Sequence, residues 1–188
     1  MIVKGHDFPN VTLVGVLAAD LSLNTPDYRS AERTFQLLTQ AAGRAGRDFR
    51  SGDVVIQTYS PEHYSIVTAA NQDYEAFYRQ EMAYRRLMKY PPASGLLTVQ
   101  FSSRLEDCLK ETADAAAGFI GPFAEQEAVQ IIGPVEATVY KINDIYRKIL
   151  YLKQENYDIL IKIRDQIDGF SENYGHLFDQ VMIQYDFS

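Results

Sequence analysis

The run Tyr90-Pro91-Pro92 limits what this chain can fold into more than any other feature. Proline lacks the amide hydrogen a helix needs and pushes the residue before it out of helical geometry. Residues 74–89, with Phe77, Met82, Leu87 and Met88 spread among many charges, read as a long, mostly exposed helix that has to stop at Tyr90. The 188 residues therefore divide into two parts, each of which must find its own core. The expected segments are 1–70, a connecting helix and Pro-Pro linker at 71–93, and a domain at 94–188.

The first part alternates strand-like and helix-like stretches. Val11-Thr12-Leu13-Val14-Gly15-Val16-Leu17 is an almost unbroken aliphatic run, suited to a strand buried on both faces of a parallel sheet. Ser30, followed by Ala31-Glu32-Arg33, predicts a serine-capped helix to about Ala42, before Gly43 and Gly46. Val54 to Tyr59 predicts a second strand, and Ser60-Pro61 a helix with proline in its first position. The pattern is α/β with too few strands for a complete sheet, as though truncated at its N-terminus.

The second part has the order βαββαβ. Leu97, Val99 and Phe101 alternate; Leu105, Cys108, Leu109, Ala116, Ile120 and Phe123 recur at helical spacing. Val135, Ala137 and Val139 alternate again, an Asn143-Asp144 turn leads to Ile149-Leu150-Tyr151-Leu152, and Val181, Ile183, Tyr185 and Phe187 close with a strand. Leu160, Ile163, Ile167 and Phe170 have helical spacing, although Ile159-Leu160-Ile161-Lys162-Ile163 by itself alternates as a strand would. This α+β order predicts a split-βαβ, ferredoxin-like sandwich.

Composition excludes several classes. A single cysteine, Cys108, rules out an internal disulfide framework and any paired-cysteine zinc site. His6, His63 and His176 have no metal-ligand spacing, so no metal site is expected. No apolar run reaches the ~18–20 residues of a membrane span, and no export signal opens the chain. A cytoplasmic protein without membrane partners is expected. The net charge of −7 argues against nucleic-acid binding unless basic residues cluster locally.

They do cluster. Gln40-Ala41-Ala42-Gly43-Arg44-Ala45-Gly46-Arg47 sets two arginines three residues apart beside glycines that let a ligand approach the backbone. Guanidinium forks make bidentate, charge-assisted bonds to phosphate, although an exposed basic turn has the same spacing. In the later hairpin, Lys141, Arg147, Lys148 and Lys153 stand against Glu136 and Asp144. If Val135, Ala137 and Val139 face the helices, then Tyr140, Arg147, Tyr151 and Lys153 share the open side of the sheet. Bases interleaved with aromatics suit single-stranded nucleic acid, and a solvated sheet face is the plainer alternative.

The segment Gln40–Arg47 resembles motif VI of superfamily-two helicases, and Met1-Ile2-Val3-Lys4-Gly5-His6-Asp7-Phe8 resembles their motif V. Between them, Asp27-Tyr28-Arg29-Ser30-Ala31-Glu32-Arg33 and Gln36 to Gln40 resemble the primosomal replication-restart helicases, the primosomal protein N′ or PriA family. Gly133-Pro134-Val135 and Tyr146-Arg147 resemble that family's C-terminal domain, which has a ribosomal-protein-like α+β fold. The resemblance implies the distal part of helicase lobe two followed by that domain. It further implies ATP-driven 3′-to-5′ DNA unwinding at stalled forks and primosome assembly in a bacterial, nucleoid-associated protein. Arg44 and Arg47, supported by Gln40, would meet the γ-phosphate; Gly5, Asp7 and Gly43 would border the nucleotide; Lys4 would lie towards DNA.

The partners implied are forked and single-stranded DNA, single-stranded-DNA-binding protein and primosome loading proteins. No GxxxxGK[ST] loop and no DEAH-like acid pair occurs in this sequence. ATP, Mg2+ and the family's zinc would thus be bound by the full-length protein, and the chain alone is expected to be inactive. The alternative is a non-catalytic DNA- or protein-binding module.

Overall fold

The structure, a computed structural model, describes residues 11–43, 45 and 52–188, with the backbone alone at 176 and 177. It forms two compact units, Met1–Tyr84 and Arg85–Ser188.

In the first unit, β1 (Leu13–Val16) and β2 (Asp53–Ile56) pair in parallel, with Val14 opposite Val54. Helices α1 (Asp20–Leu23) and α2 (Ser30–Ala42) lie between the two strands in the chain, α3 (Tyr64–Ala70) follows β2, and α4 (Tyr74–Met88) begins here. Helical spacing on α2 turns Ala31, Phe35, Leu38 and Ala41 inward. Phe35 stacks on Phe77 of α4 with ring centroids 4.2 Å apart, and Val16 and Ile56 pack against this cluster. The expectation that β1 is buried on both faces is corrected: Leu13 and Val55 are 62% and 58% exposed. Parallel strands are buried on both sides only where helices cover both faces, and the described helices pack on one.

Two helix starts also differ from expectation. In α2 the N-cap position is held by Arg29 without a side-chain cap bond, so Ser30 is the first helical residue rather than the cap, and Asp27 accepts the Arg29 amide on Oδ1 at 2.9 Å in the turn before the helix. Pro61 sits in a turn, and α3 begins at Tyr64 because Nδ1 of His63 accepts the Ser65 amide at 3.3 Å. Burial holds the His63 imidazole below its ordinary pKa, opposed by the nearby Glu81 carboxylate. The folded state therefore binds this proton less tightly than the unfolded state, and the cap's contribution is lost as pH falls below about 6.5. His63→Asn, which caps without titrating, should flatten the decline in Tm between about pH 7 and pH 5. Identical pH profiles for the two proteins would refute this.

The second unit follows the end of α4 with β3 (Gly95–Ser103), α5 (Glu106–Gln126), β4 (Gln130–Ile142), β5 (Ile145–Gln154), α6 (Tyr157–Asn173), α7 (Gly175–Phe178) and β6 (Met182–Phe187). The strands form one antiparallel sheet ordered β4-β5-β3-β6. Leu97, Val99 and Phe101 of β3 lie opposite Leu152, Leu150 and Lys148 on one side and Phe187, Tyr185 and Ile183 on the other. With Leu109, Ala116 and Ile120 of α5 and Leu160, Ile163 and Ile167 of α6 they build a core in which these helical residues are fully buried.

The ambiguous stretch 159–163 is helical. Asn156 caps α6 by accepting the Asp158 amide at 3.0 Å, and the apolar spacing continues past what a strand would use. Asn143 and Asp144, both at positive φ, form the two-residue turn that joins β4 to β5. The helix 74–88 is less exposed than its charge suggests, since Phe77, Glu81 and Arg85 are buried at four-residue spacing. Among the described residues no helix is long and apolar enough to cross a membrane.

Candidate nucleic-acid interface

Strand pairing decides which hairpin residues can act together. On β5 the even-numbered residues Tyr146, Leu150 and Leu152 pack on the core, so Arg147, Ile149, Tyr151 and Lys153 turn to the opposite face. Across from them on β3 stand Ser102, Gln100, Thr98 and Leu96. Arg147 and Tyr151 thus share the open face, as expected from the sequence, and both are half-buried.

Tyr140 does not join them. It packs against the core, donates its hydroxyl to Oε1 of Glu106 on α5 at 2.9 Å, and meets the Tyr146 ring edge-on at 5.4 Å. Burial, then the Glu106 hydrogen bond, pushes its phenol up to about 12. Val135 and Val139, expected under the helices, are instead 42% and 52% exposed. Two irregularities in β4 cause the inversion. Between Ile132 and Val135 the strand gains a residue on β5, and between Glu136 and Lys141 it advances five residues while β5 advances two.

Gly133 sits at φ +110°, where a side chain is strained, and an added Cβ would lie 2.7 Å from the Ile149 carbonyl oxygen. Pro134 next to it has no amide to give the ladder. A one-residue slip moves every later side chain to the other face.

Lys153 is the second correction. It lies on the face of Tyr151 but is only 4% exposed. Its Nζ donates to the Met88 carbonyl at 2.9 Å and lies 3.5 Å from the centroid of the Tyr90 ring. Burial pulls its pKa down. The reason is the chain elbow at the end of α4. Lys89 takes a positive φ, the Tyr90 amide reaches back to the Arg85 carbonyl at 2.8 Å, and Arg85 Nη1 donates to the Pro91 carbonyl at 2.8 Å. This elbow brings Met88 and Tyr90 onto β5.

The neighbouring bases Lys141 and Lys148 also lie off the open face. Lys141 is 3.1 Å from Asp144 and bonds the Tyr146 hydroxyl, while Lys148 stands opposite Glu136 and Phe101 in the strand register, on the helix-covered face. Of the four bases grouped in the sequence, Arg147 is the one left on the open face. The contact between Lys153 and the 88–90 segment was not foreseeable from local pattern, because the two are remote in sequence. The Pro-Pro break was its only visible trace.

Of the helicase-like residues, Gln40 is exposed in the last turn of α2 and Gly43 follows as its C-cap, donating its amide to the Thr39 carbonyl. Lys4, Gly5, Asp7, Arg44 and Arg47 lie outside the described residues. Among the described residues no group of three His, Cys, Asp or Glu side chains is placed to hold a metal ion.

Residues 86–177 match the family model described as primosomal protein N C-terminal domain. The chain is 49% identical over 157 residues to the replication restart protein PriA of Bacillus subtilis (strain 168), a match covering 82% of this chain and 19% of the relative. Proteins of the same name from Treponema pallidum and Synechocystis are 37% and 41% identical, over 90% and 84% of this chain and 26% and 19% of theirs. The chain therefore spans about a fifth to a quarter of the length of these relatives. A match over 82% of the chain is more than residues 86–188 can supply, so the similarity extends into the first unit. The chain therefore belongs to the PriA family of replication restart proteins, and it carries that family's C-terminal domain.

Proposed function

We propose that the intact protein is an ATP-dependent 3′-to-5′ DNA helicase that restarts stalled replication forks and assembles the primosome. The observation that carries this reading is the 49% identity to a replication restart protein across both units. Residues 1–70 would be the distal part of a RecA-like second lobe, 71–93 the connector, and 94–188 the C-terminal domain. The strand order β4-β5-β3-β6 supports a split-βαβ sandwich for that domain.

ATP and Mg2+ would be held mainly by residues elsewhere in the intact protein. Gln40, Arg44 and Arg47 would complete the nucleotide site, with Gly5, Asp7 and Gly43 beside it and Lys4 towards DNA. Zinc would bind elsewhere, since one cysteine provides no ligand set. Single-stranded-DNA-binding protein and primosome loaders are the proposed protein partners, and the nucleoid of the bacterial cytoplasm the proposed location. Fork-stimulated ATP hydrolysis and unwinding of a 3′-tailed duplex by the intact protein test this, with the chain alone expected to show neither. An intact protein inactive on forked DNA would overturn the reading.

Within this chain, Arg147 and Tyr151 on the open sheet face are the proposed single-stranded DNA contacts. A guanidinium offers phosphate recognition and a tyrosine a stacking surface, each stacked base contributing ~1–3 kcal/mol. Arg147→Ala with Tyr151→Ala should weaken binding of a thymine oligonucleotide roughly tenfold or more and lower its salt dependence. Unchanged affinity and slope would exclude this face.

A second reading, a non-catalytic binding module, is favoured by the exposed aliphatics Ile132, Val135, Val139 and Ile142 on the edge strand β4. Protein binding insensitive to Arg147→Ala would support it.

A further inference from the structure

Where α4 ends, a cleft of about 680 Å³ opens within the second unit. Leu87, Met88 and Ile132 give it an apolar wall, and Lys89, Lys153 and Glu125 are its charged residues. The wall is exposed, with Leu87 at 80%, Met88 at 42% and Ile132 at 37%. The core does not need these side chains. A cleft of this size is in the range that small ligands occupy.

Lys153 is the feature that points to a ligand. An ammonium has three N–H donors; one goes to the Met88 carbonyl and the Tyr90 ring faces a second. Among the described residues no carboxylate pairs with it. Glu125 lines the same cleft without forming an ion pair to Lys153. A buried charge without a counter-charge is costly, and an entering anion would relieve that cost. Burial alone depresses the lysine's pKa, with no opposing acid near enough to raise it.

The cleft is also continuous with the proposed DNA face. Ile132 is the register partner of Tyr151, and Lys153 lies two residues beyond Tyr151 on the same face. Arg147 to Lys153 spans roughly 20 Å of strand at ~3.3 Å per residue.

We propose that this cleft is a nucleotide pocket for single-stranded DNA, Lys153 and Lys89 holding a phosphate while the base lies against Leu87, Met88 and Ile132. The pocket would end a path that begins at Arg147 and passes Tyr151, so the proposal rests on the open face being the DNA face. An anion with an apolar, flat body suits both an ammonium that has no carboxylate partner and the exposed aliphatic wall, which neither inorganic phosphate nor a purely apolar ligand does.

The test uses the 188-residue chain and two probes. Thymidine monophosphate, and not thymidine, should shift the Lys153 side-chain Cε resonance. In anisotropy titrations with a thymine oligonucleotide, Leu87→Glu should weaken binding about tenfold, because it sets a carboxylate where the base and phosphate would lie. Lys153→Met should weaken binding and lower the salt slope by about 0.7, one single-strand phosphate. Leu87 is largely exposed, so its variant keeps the fold even if Lys153→Met loosens the elbow.

If Leu87→Glu and Lys153→Met bind normally while Arg147→Ala and Tyr151→Ala do not, the pocket is overturned and the DNA face stands. If all four bind normally, both are overturned. Equal shifts from thymidine and its monophosphate would remove the phosphate contact and with it the proposal. Competition by a short Leu- and Glu-rich peptide, with no response to DNA, would assign the cleft to a protein partner instead.

Discussion

Arg44→Ala or Arg47→Ala in the intact protein is expected to slow fork-stimulated ATP hydrolysis by about 10³- to 10⁵-fold, the range for arginine fingers in phosphoryl transfer. This expectation follows from the proposed nucleotide role of Gln40 to Arg47. Charge that builds on the transferring phosphoryl oxygens is stabilised by a guanidinium fork, and alanine leaves it unopposed. DNA affinity measured without nucleotide should change little, because the loss lies in the transition state. A rate loss below tenfold, or a parallel loss of DNA binding, would remove these arginines from the nucleotide site. Arg44→Lys should remain impaired, since an ammonium keeps the charge and loses the bidentate geometry.

Phe101→Ala should destabilise the second unit by ~3–5 kcal/mol, the cost of deleting a fully buried aromatic from a packed core. Phe101 is 0% exposed in β3, a strand flanked by β5 and β6, opposite Ile183. No neighbour there is free to collapse into the space. Chemical denaturation of the chain should show a lower midpoint for the second unit, with the first unit's transition unmoved. A loss under 1 kcal/mol would mean the sheet is not packed as described. Phe101→Leu should recover most of the loss, because it restores apolar volume at that position.

Periodicity was a good guide wherever one face of an element is buried and its hydrogen bonds are internal or regular. Leu97, Val99 and Phe101 on β3 and Leu160, Ile163 and Ile167 on α6 are fully buried, matching the alternation and helical spacing written in their order. It failed on β4. There the alternation of Val135, Ala137 and Val139 reads as a core face, yet the two register irregularities of β4, at Gly133-Pro134 and between Glu136 and Lys141, turn Tyr140 inward and leave Val135 and Val139 exposed. Pairing with β5 fixes that register, and a bulge carries no signature in periodicity beyond the glycine and proline themselves. Helix starts failed for a related reason: α2 begins after an Asp27 turn with no side-chain cap, and His63 caps α3, not the Ser30 and Pro61 that local rules favour.

By itself the sequence determined the family, the βαββαβ order of the second part and the place where α4 must end, because motif spacing, periodicity and proline's missing amide are local properties. Only the tertiary structure decided which side chains share a surface. Arg147 and Tyr151 face outward together, Tyr140 lies beneath the helices, and Lys153 closes on Met88 and Tyr90 from the far side of the chain. Those outcomes depend on strand register and on contacts between remote segments, where burial of one side chain fixes the environment of another.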